Sequence, residues 1–328
     1  MEKQPSIVRS RPRRRSAGLV RSVTILGTGV WGSALGKLVK DRYEVRFWSR
    51  NSDVTLAEVV KESSIIVSAV SMKGVQPTID RLKQIAIAPI TIIVTATKGL
   101  DSNTTQTPSM MWQQSFPNNP VVVLSGPNLS TEIERKLPAA TTVASKDVTA
   151  AETIQNIFAS EMFRVYLNQD PLGTELGGTL KNVMAIAAGV CDGMQLGTNA
   201  KAALLTRALP EMIRVGTSLG ATAETFYGLS GLGDLIATCD SPLSRNYQVG
   251  YGLAKGETIE AILNRLEGTA EGINTTQVLV KIALQRKISV PIAYQVHLLL
   301  QGKITPQQAV KALMARELKV ESSTKFRY

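Results

Sequence analysis

A glycine-rich loop near the N-terminus constrains the fold of this chain most strongly. Residues 22–26 have the composition of a buried β-strand, the loop GTGVWG follows at 27–32, and a helical pattern comes next. In such a strand–loop–helix unit, Gly27 makes the tight turn, Gly29 lets a pyrophosphate approach the backbone, and Gly32 allows the helix to pack closely on the strand. The pattern predicts a dinucleotide site at the N-terminus of the helix, with an ordinary glycine-rich turn as the alternative.

The end of the second predicted strand favours NADPH over NADH as the dinucleotide. Residues 43–48 form this strand, and Ser49 and Arg50 follow it. NAD-specific sites usually have an acid here that bonds the ribose 2′-hydroxyl, whereas an arginine suits a 2′-phosphate by its charge and its bidentate fork. Asp53, a little further on, either caps a helix or contacts a ribose.

Further strand-like runs follow at the spacing of an α/β fold. Helical patterns separate most of them, so we expect a parallel sheet with helices on both faces. Ligands of such sheets bind beyond the carboxyl ends of the strands, where the chain has Lys98 after one strand and residues 125–130 after the next. Plain polar loops are the alternative for both segments. The strand-like runs are residues 64–70, 90–95, 121–124, 141–144 and 163–167.

The β-rich runs end near residue 170, and helical patterns continue to the C-terminus. The longest, over residues 171–189, contains Gly177, Gly178 and Lys181. A glycine inside a helix costs about 1 kcal/mol relative to alanine, and Lys181 leans back over the bare surface that the two glycines leave. We therefore predict a small pocket that holds an ammonium group with a lowered pKa. Tight helix packing with a snorkelling lysine is the alternative.

Three other polar segments of the second half are candidate ligand contacts. Asp234 follows a glycine-dense turn, where it either caps a helix, orients Lys181 or holds a hydroxyl. The Ser-Arg-Asn segment at 244–246 stands in a predicted loop and suits a phosphate or a carboxylate, and a solvated arginine is the alternative. Glu271 lies at a predicted helix entrance flanked by glycines.

Composition excludes several classes of site. The 328 residues are 44% hydrophobic and 19% charged, as in a globular protein of two domains. The chain has one histidine, His297, so any mechanism that needs two histidines is excluded. His297 lies in an amphipathic helical pattern, where a packing or surface role is expected. Two cysteines build neither a disulfide framework nor a zinc site, so we expect no metal and a reducing cytoplasm. The most apolar stretch, residues 85–94, is too short to span a membrane.

The positive charge is concentrated at the N-terminus. Net charge is +11, and residues 1–21 carry seven basic side chains against one acid. We predict a disordered tail there, ranked above a transit remnant and above a nucleic-acid arm. We expect a dinucleotide-binding domain over 22–170 and a helical substrate domain over 171–328.

Seven motifs in order resemble the bacterial-type NAD(P)-dependent glycerol-3-phosphate dehydrogenases. They are GTGVWGSALG, ATKGL, SGPNLSTEI, LGGTLKNVMAIAAG, GLSGLGDLIATC, SRN and AEGINT. The resemblance implies an α/β chain with an N-terminal Rossmann-like domain and an all-helical C-terminal substrate domain. It also implies reversible reduction of dihydroxyacetone phosphate to sn-glycerol 3-phosphate with NADPH or NADH, for glycerophospholipid synthesis. We expect a homodimer in the cytoplasm that has no nucleic-acid partner and no membrane span.

The resemblance assigns a role to each matched residue. Lys181 is expected to donate the proton in reduction and to accept it in oxidation. The expected substrate contacts are Lys98, Gly126, Asn128, Lys181, Asp234, Ser244, Arg245 and Asn246. With Gly27, Gly29 and Gly32, the expected cofactor contacts are Val30, Trp31, Arg50, Lys98, Ser130, Arg245 and Glu271. The segment between Arg50 and Ser64 is shorter than the family usually has.

Two other functions remain open from the residues alone. A 3-hydroxyacid dehydrogenase of the same architecture would use a Lys–Asn pair at 181–182 and bind a carboxylate with Arg245 and Asn246. An NADP-binding adaptor would instead depend on its basic tail. Assays with hydroxyacids identify the first, and deletion of residues 1–21 identifies the second.

Overall fold

The computed structural model describes residues 22–266 and 268–318, so the predicted tail at 1–21 lies outside the described residues. Seven strands form one sheet in the N-terminal half. They are β1 (Ser22–Leu26), β2 (Glu44–Trp48), β3 (Ile65–Ser68), β4 (Ile92–Thr95), β5 (Val121–Ser125), β6 (Ala139–Ala144) and β7 (Phe163–Asn168). Their order in the sheet is β2-β1-β3-β4-β5-β6-β7, and all seven predicted strands are confirmed with small differences at their ends.

One edge of the sheet corrects the prediction of a wholly parallel arrangement. Strands β1 to β5 run parallel, but β6 pairs antiparallel with β5, and β7 then pairs parallel with β6. The connection from β5 to β6 holds only the five-residue helix α5 (Ser130–Glu134). This helix spans only about 7.5 Å. The chain enters β6 at the same end of the strands at which β5 finishes, as the antiparallel pairing requires.

Helices cover both faces of the sheet. On one face, α1 (Val30–Val39) and α6 (Val148–Phe158) pack with α5 on an apolar core. On the other face, a second core includes α2 (Leu56–Val60), α3 (Met72–Leu82) and α4 (Pro108–Ser115). Because helices shield both faces, the ends of the strands are the part of the sheet that a ligand can reach.

The glycine-rich loop has the geometry that its sequence predicts. Gly27 has a φ of +108°, and its N–H donates to the Trp48 carbonyl at 2.8 Å. A Cβ at Gly32 would lie 1.9 Å from the Gly27 carbonyl oxygen, so only glycine lets α1 approach the loop this closely. No atom lies within 4 Å of the place where a Cβ on Gly29 would stand, so this face of the loop is open.

Helices make up the rest of the described chain, with no β-strand after Asn168 in its residues up to 318. The long buried helix predicted from residue 171 is confirmed as α7. The helices are α7 (Pro171–Gly193), α8 (Thr198–Ser218), α9 (Asp234–Cys239), α10 (Arg245–Ala254), α11 (Ile259–Arg265), α12 (Glu271–Arg286), α13 (Pro291–Leu300) and α14 (Pro306–Met314). Within 22–266 and 268–318, none of the helices has both the length and the apolar character that crossing a membrane requires.

Helices α7 and α10 approach each other unusually closely. A Cβ at Gly189 of α7 would lie 2.0 Å from the Tyr247 carbonyl oxygen, and a Cβ at Gly250 of α10 would lie 1.9 Å from the Ile186 carbonyl oxygen. Glycines on both helices thus let the two backbones touch. The contact brings the N-terminus of α10 against the middle of α7.

The Gly250→Ala substitution tests this contact. The added methyl group meets backbone on α7, which cannot rotate away, so we expect the free energy of unfolding to fall by about 3 kcal/mol. Gly233→Ala is the control, because Gly233 has helical dihedral angles and its Cβ would meet nothing closer than 3.7 Å. Urea unfolding of both variants gives the comparison. Equal stability of Gly250→Ala and the unchanged chain would contradict the contact.

Candidate active site

A buried carboxylate between two ammonium groups forms the centre of the candidate site. Asp234 Oδ1 lies 3.0 Å from Lys181 Nζ, and Asp234 Oδ2 accepts from Lys98 Nζ at 2.5 Å. The side chains of Asp234 and Lys181 are only 3% and 9% exposed, whereas Lys98 is 21% exposed. Lys98 Nζ also donates to the Gly126 carbonyl at 3.2 Å. One negative charge therefore holds two positive charges at the carboxyl end of the sheet.

Three separate elements bring these side chains together. Lys98 follows β4, Lys181 lies in the middle of α7, and Asp234 is the first residue of α9 after a π-helical turn at Leu229–Gly233. Asp234 is not a helix cap, because the N-cap of α9 is Gly233. Asp234 instead lies 3.0 Å from Lys181 Nζ, within reach of the lysine that it is predicted to orient.

Thr238 completes the centre, and sequence reasoning missed it. Lys181 Nζ donates to Thr238 Oγ1 at 2.5 Å, and Thr238 Oγ1 donates to Asp234 Oδ1 at 3.1 Å. Thr238 stands four residues after Asp234, and two such residues share one face of a helix. This four-residue spacing is the sequence signal that could have identified Thr238.

Burial and charge set the proton affinities of this centre. Burial, reinforced by the Lys98 ammonium, lowers the pKa of Lys181 from 10.5 to about 8, although Asp234 opposes the change. Burial acts to raise the pKa of Asp234, but the Lys181 and Lys98 ammonium groups outweigh it, and the pKa lies below the usual 3.8. Near neutral pH the site therefore holds a stable carboxylate beside an ammonium that can release its proton.

The atoms nearest to the two glycines of α7 come from other elements, not from the Lys181 side chain that we predicted there. A Cβ at Gly178 would lie 2.3 Å from Ser125 Oγ and 3.2 Å from Lys98 Cε, and a Cβ at Gly177 would lie 2.7 Å from the Ser230 carbonyl oxygen. The prediction that Lys181 covers this bare surface is wrong. Lys98 follows β4 and reaches Asp234 past Gly178, so a larger side chain at that position of α7 would collide with it.

The Ser-Arg-Asn segment at 244–246 begins a helix, so the predicted loop is wrong. Ser244 is the N-cap of α10, and its Oγ accepts from the Tyr247 N–H. Arg245 is exposed in the first turn, where the free N–H groups and dipole of a helix favour an anion. Asn246 is buried, donates to Asn182 Oδ1 at 3.0 Å and accepts from the Gly272 N–H at 2.9 Å.

The predicted cofactor contacts lie near the loop and the neighbouring strand ends. Trp31 Nε1 donates to the Ala96 carbonyl at 3.1 Å, and Val30 is 61% exposed. Glu271 begins α12 and accepts from the Met72 N–H at 3.2 Å, which joins α12 to the start of α3. Arg50 is exposed in the turn after β2. The cap of α2 is Thr55, so Asp53 does not have that role.

Two buried polar atoms, one at the end of β5 and one in the connection after it, lack a hydrogen-bond partner among the described residues. They are Ser125 Oγ and Asn128 Oδ1. Asn128 Nδ2 already donates to Thr141 Oγ1 at 2.9 Å, so its oxygen is the atom left over. Ser130, the first residue of α5, follows on the same connection. Unpaired buried polar atoms are costly, and a hydroxyl-bearing ligand beside the Lys98 ammonium would satisfy these two.

Comparisons with known proteins decide the family. Family models described as the N-terminus and the C-terminus of NAD-dependent glycerol-3-phosphate dehydrogenase match residues 52–151 and 170–311. A glycerol-3-phosphate dehydrogenase [NAD(P)+] of Acaryochloris marina is 62% identical over 92% of this chain and 97% of its own length. The chain belongs to the NAD-dependent glycerol-3-phosphate dehydrogenase family. A relative of the same name from Trichormus variabilis is 60% identical over 92% of this chain and 98% of its own length.

Solved structures confirm the fold class. The glycerol-3-phosphate dehydrogenase of Coxiella burnetii has a TM-score of 0.86 and 33% identity, with 90% of this chain and 99% of that chain covered. A 2-dehydropantoate 2-reductase of Methylococcus capsulatus shares the fold alone, with a TM-score of 0.55, 13% identity, and 90% and 99% coverage. The chain thus has the Rossmann-like sheet and helical C-terminal region that the motifs imply.

The Asp234→Asn substitution tests the electrostatics of the centre. It leaves two ammonium groups without their carboxylate, so we expect the free energy of unfolding to fall by about 3 kcal/mol and the pKa of Lys181 to fall further. Asp240→Asn is the control, because Asp240 is 77% exposed and pairs with Lys201 at the other end of α9. Urea unfolding is the measurement. A loss in Asp234→Asn no larger than in the control would contradict the proposed pairing.

Proposed function

We propose that the protein catalyses the reversible reduction of dihydroxyacetone phosphate to sn-glycerol 3-phosphate with NADPH or NADH. The observation that carries this proposal is the buried Lys98–Asp234–Lys181 centre beyond the ends of β4 and β5. Its relatives in the family are named for this dehydrogenase activity. The product supplies the backbone of glycerophospholipids.

Lys181 is the residue that moves the proton. In reduction its ammonium donates a proton to the oxygen on C2 of the substrate, and in oxidation its neutral amine takes that proton back. A pKa of about 8 suits both directions, because both forms of the amine are populated near neutral pH. Asp234 and Thr238 hold Nζ in place through the reaction. The hydride is the chemistry that the bound nicotinamide supplies.

The N-terminus of α10 would bind the substrate phosphate. Arg245 supplies a guanidinium fork in the first turn, and the N-terminal end of the helix dipole adds to its attraction for an anion. Asn246 is tied to Asn182, the neighbour of Lys181, so a phosphate held here stands at a fixed distance from the proton donor. Such positioning is a large part of what an enzyme contributes to rate. Lys98, Gly126, Asn128 and Ser244 would complete the substrate contacts.

The glycine-rich loop would bind the dinucleotide. The open surface over Gly29 lets a pyrophosphate reach the backbone, and the N-terminus of α1 faces it. Arg50 follows β2, where its charge favours the 2′-phosphate of NADPH. We assign the dinucleotide-binding domain to residues 22–170 and the helical substrate domain to residues 171–328, with contacts to both ligands contributed by each domain. The remaining assigned cofactor contacts are Gly27, Val30, Trp31, Gly32, Lys98, Ser130, Arg245 and Glu271.

We also propose that the protein is a homodimer in the cytoplasm. Both cysteines are free and buried, which suits a reducing compartment. An apolar groove of about 660 Å³ runs between α7, α8, α13 and α14. Its apolar lining would be removed from water if the same surface of a second copy covered it. Light scattering after size exclusion should give twice the mass of 35.4 kDa, and a monomer at micromolar concentration would refute the dimer.

Initial rates test the proposed reaction. Purified protein with dihydroxyacetone phosphate should oxidise NADPH faster than NADH, because Arg50 favours the extra phosphate. Lys181→Met should lower kcat by about 10²- to 10⁴-fold, since the proton donor is gone, while the Kd for NADPH stays within about twofold. Lys201→Met is the matched control. Lys201 is also ion-paired and only 17% exposed, but its partners are Asp192 and Asp240 and not Asp234, so its loss should leave kcat within a few-fold.

Two results would contradict these assignments. If neither cofactor is oxidised although both bind, the fold assignment stands and the substrate assignment fails. Hydroxyacids and their keto partners would then be tested next. If Lys181→Met keeps the turnover of the unchanged protein, Lys181 has no part in the chemistry.

A further inference from the structure

The segment that follows β4, residues 97–109, lies in the N-terminal half of the sequence but packs against helices of the C-terminal half. It carries Lys98, and Leu100 two residues later is fully buried. Leu100 belongs to the apolar core that contains Leu176 and Leu180 of α7 and Val278 of α12. The helical half therefore packs against the backbone that follows Lys98.

Three side chains of the helical half bond to this segment. Thr179 Oγ1 accepts from the Gly99 N–H at 3.0 Å, in a bond buried from solvent. Asn274 Nδ2 donates to the Leu100 carbonyl at 2.9 Å. Glu175 accepts from the Ser109 N–H at 2.9 Å and from the Ser109 hydroxyl at 2.5 Å, at the start of α4. Glu175 and Thr179 are four residues apart and so lie on one face of α7.

These bonds hold the backbone next to Lys98, the residue whose long side chain must reach Asp234. A lysine side chain loses much rotamer entropy when it is held in one conformation, so its position depends on how firmly its own backbone is anchored. The Gly99 amide is the first peptide group after Lys98, and Thr179 is two residues before Lys181 on α7. One turn of α7 thus carries the proton donor and the anchor of the second lysine.

We propose that Thr179 is a positioning residue for the reaction proposed above, with Glu175 and Asn274 in support. Its hydroxyl holds the Gly99 amide so that the Lys98 ammonium meets Asp234 before substrate arrives. Thr179 does not contact substrate in this proposal. It acts through Lys98, whose positive charge at the site binds the substrate and keeps Lys181 easy to deprotonate.

Thr179→Val is the decisive variant, because valine keeps the volume and removes the acceptor oxygen. We expect kcat/KM for dihydroxyacetone phosphate to fall by about 10- to 100-fold, and the Kd for NADPH to stay within about twofold. Thr179→Ser keeps the hydroxyl and should stay within about threefold of the unchanged protein. Hydrogen exchange of peptides covering residues 97–109 should be faster in Thr179→Val only.

A pH profile separates positioning from a structural role. The charged or titratable groups that act on Lys181 are Asp234, Lys98 and Cys239. When Lys98 moves away, a positive charge leaves, and the pKa of Lys181 rises. The alkaline fall of kcat/KM in reduction should therefore move up by about half a pH unit in Thr179→Val and stay in place in Thr179→Ser. A loss of packing alone would lower the amount of active protein without moving the profile.

Each outcome decides the proposal. Unchanged kcat/KM in Thr179→Val overturns it, and so does a loss that Thr179→Ser shares or that leaves the pH profile in place. If Thr179→Val does not fold, Asn274→Ala carries the same test through the Leu100 carbonyl. If the unchanged protein oxidises neither cofactor with dihydroxyacetone phosphate, the proposed function fails. Hydrogen exchange at 97–109 then still decides whether Thr179 anchors this segment.

Discussion

The buried carboxylate of Asp234 is the interaction on which the rest of the site depends. The ammonium groups of Lys98 and Lys181 both lie within hydrogen-bond distance of Asp234. Without this carboxylate, the two positive charges would repel each other at a largely buried site. A single carboxylate with one oxygen for each lysine makes the arrangement stable. Since a buried charge is costly without a partner, neither lysine would remain at this depth if Asp234 were absent. The carboxylate therefore joins the sheet, α7 and α9 at one point.

Close backbone contacts supply the precision that this point requires. Gly178 leaves the space through which Lys98 reaches Asp234, and Gly189 and Gly250 let α10 touch α7. The second contact places Asn246 against Asn182, beside Lys181. Small residues on α7 thus set two distances, one from the proton donor to the second lysine and one to the arginine at the start of α10. Larger side chains at these glycines would separate the groups.

Local patterns in the sequence predicted much of this, because their physical cause is local. The glycine-rich loop needs a positive φ at Gly27 and space at Gly32, and both follow from neighbours in sequence. The seven strands follow from short apolar runs. The lowered pKa of Lys181 followed from a lysine in a buried helical pattern. The resemblance to the family was visible in the sequence because whole motifs carry more information than any one residue.

What sequence reasoning missed depends on contacts between distant segments. The direction of β6 depends on the end of the sheet at which the chain enters it, and composition carries no signal of that. The antiparallel pairing of β6 with β5 was therefore not predicted. Thr179, 80 residues from Gly99, has no local signal of its role. Thr238 could have been found from its spacing to Asp234. The domain limits and the binding roles of single residues stay predictions.

The most direct test of the account is the pKa of Lys181 itself. It can be followed by carbon-13 NMR of the lysine Cε resonances across pH 6 to 12, with the Lys181 signal identified by its absence in Lys181→Met. We expect a Lys181 pKa of about 8, well below the ordinary lysine value of 10.5. A Lys181 that titrates near the ordinary value of 10.5 would contradict the buried centre and the proton transfer built on it.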